Sequence, residues 1–307
     1  MNEFVVGIDI GGTKIAAALV SVQGQVLARG LIPTEAARGF DDGLRRIAAL
    51  LDRLLAQADR VGQLGAIGIG CAGPLDPLAG TIENPYTLPT WDGVDIVTPL
   101  QDRYGVPVAL ENDADAAAMG ECWLGAGQGG RVVVMVTVGT GVGGAVIVDG
   151  EIYRGVDGAH PEVGHLGVDP NGPDCYCGMP GCWESLATGP AMAAAVRERM
   201  PHRDPATITG ATVVAGARAG DPIAQEIVAR AALANARGVF SLVNLYVPEI
   251  VILGGGVMDA YDLFEPAIDR LLARNTMAPI DRIAIRKALL GNDAGILGAA
   301  RIALDRL

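Results

Sequence analysis

Three cysteines and one histidine lie close enough along the sequence to bind one metal ion together. The cysteines follow a C-x-C-x4-C pattern at Cys175, Cys177 and Cys182, and His165 lies ten residues before the first of them. Three thiolates and one imidazole form a complete tetrahedral set for a closed zinc site. Redox pairs use C-x-x-C spacing instead, and clustered cysteines in a reducing compartment favour metal over disulfide. The pattern predicts a zinc ion that shapes a loop, with buried inert thiols as the alternative.

Two carboxylates flank this metal-binding pattern. Glu162 precedes His165, and Glu184 follows Cys182 by two positions. Because the metal fixes the loop between them, we expect both carboxylates to be presented to a ligand. His160 has two alternative roles, as a substitute metal ligand or as a substrate contact.

A glycine-rich turn follows the first apolar run of the sequence. The turn reads Asp9-Ile-Gly11-Gly12-Thr13-Lys14. Glycines at a strand end let backbone N–H groups approach a phosphate closely, and Thr13 adds a hydroxyl. Asp9 could reach a magnesium ion through water. The sequence predicts a phosphate-binding turn, although its spacing is not that of a P-loop, and a plain hairpin turn is the alternative.

Two more glycine turns follow strand-like runs. Gly139–Gly144 matches G-x-G-x-x-G, but the run that follows, Ala145–Asp149, is strand-like, whereas a dinucleotide site requires a helix there. We therefore predict a second phosphate-binding hairpin. Gly254–Gly256 is a third turn of this type, and close backbone packing is its alternative explanation.

A polar triplet, Glu111-Asn112-Asp113, lies where a strand pattern changes to a helical one. Asp113 could cap the helix or could point into a ligand site. Transfer of a phosphoryl group to an alcohol needs a base that orients the hydroxyl and accepts its proton. Asp113 is our candidate for this base, and Asn112 could hold a second hydroxyl.

The elements that position these residues alternate between strands and helices, which indicates an α/β fold. The pattern strand, glycine turn, strand occurs twice and suggests two related halves, with the flexible Gly125–Gly130 between them. We predict an N-terminal α/β domain of residues 1–124 plus about 293–307, and a larger C-terminal α/β domain of residues 125–292 that carries the zinc loop. The predicted strands are Phe4–Ile10, Ile15–Val20, Val26–Gly30, Leu64–Gly70, Val106–Leu110, Val132–Val138, Ala145–Asp149, Ile250–Leu253 and Arg282–Ala288. The predicted helices are Asp42–Arg60, Ala114–Leu124, most of 186–246 with a break at 215–220, and Asn292–Leu307.

The composition limits the function classes. The chain has 307 residues, half of them hydrophobic, so it can bury two cores. Its net charge of -12 argues against a nucleic-acid partner. We expect no membrane partner, because there is no signal peptide and no apolar run of membrane-spanning length, and we expect a cytoplasmic location. Cys71 and Cys122 lie among apolar residues and are expected to be small core residues.

Four of these motifs, in this order and at this spacing, resemble the ROK family (repressors, open reading frames, kinases). They are Asp9–Lys14, Glu111–Asp113, Gly139–Gly144 and the Cys-x-Cys-Gly-x-x-Gly-Cys-x-Glu run that ends at Glu184. The resemblance extends from residue 5 to about residue 300 and is greatest for the glucokinase branch. It implies an actin-like ATPase (ribonuclease H-like) fold, with two α/β domains around a cleft. It also implies ATP with Mg²⁺, a structural Zn²⁺, a hexose substrate and a homo-oligomer, either a dimer or a tetramer.

The resemblance assigns roles residue by residue. Asp113 matches the base that deprotonates the 6-hydroxyl of the sugar, and His165 would contact the sugar and the metal through its two ring nitrogens. The sugar contacts that it implies are Asn84, Asn112, Glu162, His165 and Glu184, and the metal ligands are His165, Cys175, Cys177 and Cys182. The phosphate and nucleotide contacts that it implies are Gly11, Gly12, Thr13, Thr140, Gly141, Gly254 and Gly255, beside Asp9 and Lys14 from the turn itself.

One departure from the pattern concerns the sugar. Many glucokinases of this family have Gly-Glu before x-Gly-His, whereas this chain has His160-Pro161-Glu162 there. A His-Pro-Glu sequence is similar to that of fructokinase-like members. The expected activity is therefore phosphorylation of a hexose at the 6-hydroxyl, glucose first, with fructose, mannose or N-acylhexosamines as alternatives. The phosphoryl donor could also be polyphosphate. A sugar-sensing regulator without turnover is the rival from another class, although no DNA-binding domain fits before Phe4.

Overall fold

The computed structural model describes residues 3–58, 62–202 and 204–307, and it divides into two compact units. Unit 1 comprises Met1–Gly129, Gly150–His160 and Leu289–Leu307, and unit 2 comprises Gly130–Asp149 and Pro161–Ala288. The strands of the described residues are β1 (Glu3–Ile10), β2 (Lys14–Ser21), β3 (Val26–Pro33), β4 (Gln63–Cys71), β5 (Leu75–Asp76), β6 (Thr81–Ile82), β7 (Val94–Asp95), β8 (Val108–Asn112), β9 (Val132–Val138), β10 (Val142–Val148), β11 (Glu151–Ile152), β12 (Ile250–Gly254) and β13 (Ala284–Lys287). The α-helices are α1 (Phe40–Ala58), α2 (Val97–Tyr104), α3 (Asp113–Leu124), α4 (Glu184–Ala187), α5 (Gly189–Arg199), α6 (Gly210–Arg218), α7 (Pro222–Tyr246), α8 (Tyr261–Leu272) and α9 (Ala294–Leu304).

Unit 1 contains a twisted sheet with the strand order β3-β2-β1-β4-β8. The first three strands are antiparallel neighbours, whereas β1 pairs with β4 and β4 with β8 in parallel. Most side chains of β1 are buried on both faces, as expected for a central strand covered by helices on each side. One face packs against the apolar stripe of α1, and the other packs against α9.

Helix α9 lies directly on the sheet because two strands have glycine at the contact. A Cβ on Gly7 would lie 2.1 Å from the backbone oxygen of Ile296, and one on Gly68 would lie 1.8 Å from that of Ala299. The last helix of the chain therefore belongs to the first unit.

A small sheet of β5, β6 and β7 follows β4 in the chain. This sheet was not predicted from the sequence. Its strands are only two residues long, so they carry no periodic signal. The fully buried Trp91 closes this region against α1, where Gly43 leaves room for the indole ring.

Unit 2 repeats the central pattern of unit 1. Its strands β10, β9, β12 and β13 are neighbours in that order, with β10 antiparallel to β9 and the others parallel. The glycine-rich Gly139–Gly144 therefore leads into a strand, which confirms that it is not a dinucleotide fingerprint. The core of unit 2 is aliphatic, and the buried indole of Trp183 donates a hydrogen bond to Asn235 Oδ1 on α7 at 2.9 Å.

Most predicted elements are present with shifted ends. The helix predicted for Asp42–Arg60 begins at Phe40, and its predicted last residues lie outside the described part of the chain. Gly125–Gly129, predicted as the start of the second domain, belongs to unit 1, and so does the segment Gly150–His160. That segment is held by an ion pair between Arg154 and the buried Glu111, a contact that sequence spacing does not reveal.

Within the described ranges, none of the helices has the length and apolar character needed to cross a membrane.

Candidate functional site

The N-terminus of α3 presents Asp113 at the end of β8. The N-cap is Asn112, whose Oδ1 accepts a hydrogen bond from the Ala114 N–H at 2.8 Å, so the capping role considered for Asp113 belongs to its neighbour. Asp113 is the first helical residue, its Oδ1 also accepts from the Ala114 N–H at 2.9 Å, and its side chain is exposed. An exposed carboxylate at a strand-to-helix junction has the setting that a base for an alcohol requires.

Asp9, near the end of β1, lies within electrostatic reach of Asp113. Burial and then the negative charge of Asp113 raise the pKa of Asp9 to about 6, and Lys14 opposes this shift. Gly295 on α9 makes the place for this carboxylate, because a Cβ there would lie 3.0–3.3 Å from the three carboxyl atoms. Two carboxylates at one end of a sheet could bind a divalent cation. The cation would then lie between the carboxylates and the phosphate of a ligand.

The first glycine turn is braced from beneath. Its own bond joins the Gly11 N–H to the Lys14 oxygen at 3.0 Å. The fully buried Thr34 donates its hydroxyl to the Gly11 oxygen at 2.6 Å, and its N–H bonds the Thr13 oxygen at 3.0 Å. Thr13 and Lys14 point to solvent, and their side chains are available to a bound anion.

Asn84 is buried, and its side-chain amide is used by the backbone. Its Nδ2 donates to the Ala72 and Gly73 oxygens at 3.0 and 2.7 Å, and its Oδ1 accepts from the N–H groups of Tyr86 and Thr87. These four bonds hold the turn around the cis Gly73-Pro74 peptide. The sugar contact of Asn84 stays a prediction, and the structure adds a positioning role.

In unit 2, the predicted metal ligands converge on one point. One ligand atom from each of the four residues lies within 4.8 Å of all the others. Cys175 Sγ is 3.5 Å from His165 Nδ1, and Cys177 Sγ is 3.4 Å from Cys182 Sγ. Tetrahedral zinc with Zn–S bonds of about 2.3 Å requires sulfur atoms about 3.8 Å apart, so the donor set fits this ion.

The loop that carries the cysteines is built from tight turns and not from a core. Short bridges join Gly167 to Cys182 and Asp174 to Pro180. Gly181 has φ +66°, and a Cβ there would lie 1.6 Å from the Asp169 oxygen. A loop with this little apolar packing needs another source of order, and a metal held by the Cys3His set would supply it.

Glu184 connects this loop to the second glycine turn. Its Oε2 accepts a hydrogen bond from the Val142 N–H at 2.9 Å, and a Cβ on Gly141 would lie 2.7 Å from that oxygen. The Gly139 oxygen accepts from the Gly189 N–H at 3.0 Å, which braces the turn against α5. Thr140, at the tip of the turn, is exposed.

The third glycine turn packs on the end of β9. Gly255 has φ +85°, and a Cβ there would lie 2.4 Å from the Val138 oxygen, so no other residue fits without a shift of the backbone. Gly254 is the last residue of β12 and pairs with Thr137. The two turns of unit 2, at Gly139–Gly141 and at Gly254–Gly255, are thus adjacent.

Taken by unit, the predicted site residues form two groups. Unit 1 holds Asp9, Gly11, Gly12, Thr13, Lys14, Asn84, Asn112 and Asp113, and unit 2 holds Thr140, Gly141, Glu162, His165, Cys175, Cys177, Cys182, Glu184, Gly254 and Gly255. Thr34, which braces the first glycine turn, could not be predicted, because no pattern in the sequence marks it. Tyr176, which contacts His165, could have been predicted from its position inside the C-x-C spacing.

Comparison with known proteins accounts for nearly the whole chain. Residues 5–306 match the model of the ROK family. The chain is 35% identical over 313 residues to a glucokinase of Thermotoga maritima, with 98% of both sequences covered. It is also 34% identical over 300 residues to an N-acetylmannosamine kinase of Shigella flexneri, covering 97% of this chain and 98% of the relative.

Solved structures give the same result for the fold. A ROK hexokinase from Thermus thermophilus superimposes with a TM-score of 0.86 at 36% identity, covering 98% of each chain. A ROK family glucokinase from Streptomyces griseus, in complex with glucose and AMPPNP, superimposes with a TM-score of 0.78 at 33% identity, covering 98% of this chain and 99% of the other. The actin-like ATPase fold predicted from the sequence is thereby confirmed.

Proposed function

Because the chain belongs to the ROK family, we propose that it is an ATP-dependent hexose kinase that converts glucose to glucose 6-phosphate. The observation that carries this proposal is the near full-length similarity to proteins named glucokinase, at 35% identity in two organisms. The motifs that could carry out this reaction are the candidate base Asp113 and the glycine turns of both units.

Asp113 acts as the general base. Its carboxylate accepts the proton of the sugar 6-hydroxyl while the hydroxyl oxygen forms a bond to the γ-phosphorus. The bond between that phosphorus and the bridging oxygen breaks, and ADP leaves. The exposed side chain of Asp113 at the start of α3 supports this role.

The glycine turns hold the phosphates. Gly11, Gly12 and Gly141 allow backbone N–H groups to face a phosphate without a side chain between them, and Thr13 and Thr140 add hydroxyls. Lys14 offers a positive charge beside the first turn, and Gly254–Gly255 borders the nucleotide. Magnesium, which accompanies ATP, neutralises part of the phosphate charge, and the half-buried Asp9 would hold its water shell.

Zinc is the ion that the Cys3His set would hold, and its role is structural. With Nδ1 of His165 on the metal side, Nε2 remains available for a ligand hydroxyl. Elemental analysis should find about one zinc per chain, and its removal by a chelator should make the Gly167–Cys182 loop sensitive to protease. A folded, active and zinc-free protein would contradict the proposal.

The activity is tested with a panel of sugars in a coupled assay for ADP. We expect glucose to give the highest kcat/KM among glucose, mannose, fructose, N-acetylmannosamine and N-acetylglucosamine. Asp113→Asn should reduce kcat roughly 10³-fold, while Asp102→Asn, the same change on the exposed face of α2, should leave it unchanged. Sugar binding without ADP formation would instead indicate a sugar-sensing regulator.

A second candidate is an N-acetylmannosamine kinase. It is favoured by the 34% identity, over nearly the full length, to proteins of that name. The same sugar panel separates the two candidates. Replacing ATP with polyphosphate in that assay identifies the donor, because one structural relative at 27% identity is named an inorganic polyphosphate/ATP-glucomannokinase.

Two further predictions accompany this function. We expect the protein to be located in the cytoplasm, because a reducing compartment keeps its cysteines as thiols and supplies ATP. The homo-oligomer stays a prediction, and light scattering on the purified protein measures it directly.

A further inference from the structure

Tyr176 lies between two predicted zinc ligands in the chain and contacts a third. Its hydroxyl oxygen is 3.1 Å from His165 Nε2. The two rings meet edge to face, with centroids 5.0 Å apart and an interplanar angle of 88°. The tyrosine is otherwise 82% exposed. Because this side chain is not packed in a core, its position is set by the contact with His165.

The hydrogen-bonding roles follow from the metal side of the imidazole. His165 Nδ1 faces Cys175 Sγ at 3.5 Å, and a metal on Nδ1 leaves the ring proton on Nε2. The N–H of Nε2 therefore donates to the oxygen of Tyr176. The phenol keeps its own proton at neutral pH, because a tyrosine side chain ionises only near pH ~10.

A sugar hydroxyl bound at this place would have the same partner. It would accept from the His165 N–H, as the phenol does in the absence of sugar. One N–H makes one good hydrogen bond, so the phenol and a sugar hydroxyl compete for it.

We infer that Tyr176 determines the sugar affinity and specificity of the enzyme, because its hydroxyl takes the place of one sugar hydroxyl on His165 until the sugar displaces it. This inference rests on the proposed sugar kinase function, from which the identity of the ligand comes. The residue is a substitute for the ligand and takes no part in phosphoryl transfer.

The loop allows such a displacement. The backbone around Tyr176 is fixed by the bonds from the Cys175 N–H to the Met179 oxygen at 3.2 Å and from the Gly178 N–H to the Cys175 oxygen at 2.9 Å. The side chain projects into solvent, so it can rotate away without a change in the loop. Only the hydrogen bond and the ring contact are then lost, and the sugar replaces the hydrogen bond.

The test is Tyr176→Phe, which removes the hydroxyl and keeps the ring. When a competing group occupies the site for most of the time, the apparent affinity for the ligand equals the intrinsic affinity multiplied by the fraction of molecules whose site is vacant. Loss of one hydrogen bond corresponds to a shift of about fivefold. We therefore expect the Kd for glucose, measured calorimetrically without nucleotide, to fall about fivefold. KM for the sugar should fall with it, and KM for ATP should not change.

A series of monodeoxyglucoses identifies the displaced hydroxyl. One analogue lacks the group that replaces the phenol, and its Kd should be the same for the wild-type enzyme and Tyr176→Phe. Met179→Leu, an exposed position in the same loop, is the control for disturbance of the loop, and zinc content should equal that of the wild type in both variants.

A Kd for glucose that rises in Tyr176→Phe would mean that the hydroxyl binds the sugar directly, and an unchanged Kd would mean that it is a bystander. Either result overturns the inference while the kinase activity of the wild type stands. A wild-type enzyme that neither binds nor phosphorylates any sugar of the panel overturns the proposed function, and this inference with it.

Discussion

The two units use one strand arrangement for different chemistry. In unit 1, Asp9 of β1 pairs with Gly70 of β4, and in unit 2, Thr137 of β9 pairs with Gly254 of β12. Each pair lies beside a hairpin that turns through glycines. Asp9 and Thr137 therefore occupy corresponding positions, one a carboxylate and the other a hydroxyl.

The same contrast extends to the neighbouring strand ends. Strand β8 of unit 1 leads to Asp113, whereas β13 of unit 2 ends with the basic pair Arg286 and Lys287. The Cys3His loop belongs to unit 2. Glycine turns therefore accompany the repeated sheet in both units. Among the described residues, the candidate base Asp113 belongs to unit 1 alone and the Cys3His loop to unit 2 alone.

The largest effect that tests this contrast is expected from Asp9→Asn. If Asp9 holds the water shell of magnesium, its loss should lower kcat by 10²–10³-fold, on the order of what one electrostatic contact to the transition state provides. Thr137→Ala changes the corresponding residue of unit 2 and should lower kcat only a few-fold. Steady-state rates across a range of magnesium concentrations measure both. Equal losses in the two variants would show that the units contribute alike.

A second test uses a buried carboxylate of unit 1. Asp115 is fully buried on α3, and among the described residues neither of its carboxylate oxygens has a hydrogen-bond partner. Burial raises its pKa to about 7, and the nearby charges of His160, Glu111, Arg154 and Asp113 shift it further in both directions.

The raised pKa of Asp115 predicts the direction in which stability changes with pH. An acid that ionises more easily in the unfolded chain than in the folded one lowers stability as pH rises between the two pKa values, here from 3.8 to about 7. Asp115→Asn should therefore gain about 3 kcal/mol in unfolding free energy over the wild type between pH 5 and pH 8. Urea denaturation at both pH values measures this gain, with the exposed Asp102→Asn as control. A difference that does not depend on pH would show that Asp115 is ionised in the fold.

A third test concerns the glycine turn of unit 2 at Gly255. Gly255 has φ +85°, and a Cβ there would meet backbone atoms of Val138. Gly255→Ala should destabilise the protein by about 2 kcal/mol more than Gly39→Ala does. Gly39 has φ +91°, and in the described part of the chain no surrounding atom lies within 4 Å of an added Cβ, so this position isolates the backbone strain. Similar urea midpoints for the two variants would contradict the tight contact.

The sequence was informative wherever chemistry is local. The Cys3His spacing and the glycine turns each lie within a short stretch, and the strands on both sides of the turns have uninterrupted apolar patterns. Contacts between residues that are distant in the sequence could not be predicted. The pairing of Arg154 with Glu111, which assigns Gly150–His160 to unit 1, joins residues 43 positions apart. The helix cap considered for Asp113 lies at Asn112. Both are good capping residues, and only the backbone geometry distinguishes them.

The smallest expected effect concerns how each turn is braced. In unit 1, the Gly11 oxygen accepts from the hydroxyl of Thr34 at 2.6 Å, and in unit 2, the Gly139 oxygen accepts from the backbone N–H of Gly189 at 3.0 Å. Thr34→Val keeps the shape of the side chain but leaves the Gly11 oxygen unpaired, which should cost about 1 kcal/mol and raise KM for ATP about threefold. Thr188→Val removes a helix cap next to Gly189 and should cost a similar free energy without weakening ATP binding, because the brace in unit 2 is a backbone group. Equal increases in KM for ATP would show that loss of stability, and not the brace, weakens ATP binding.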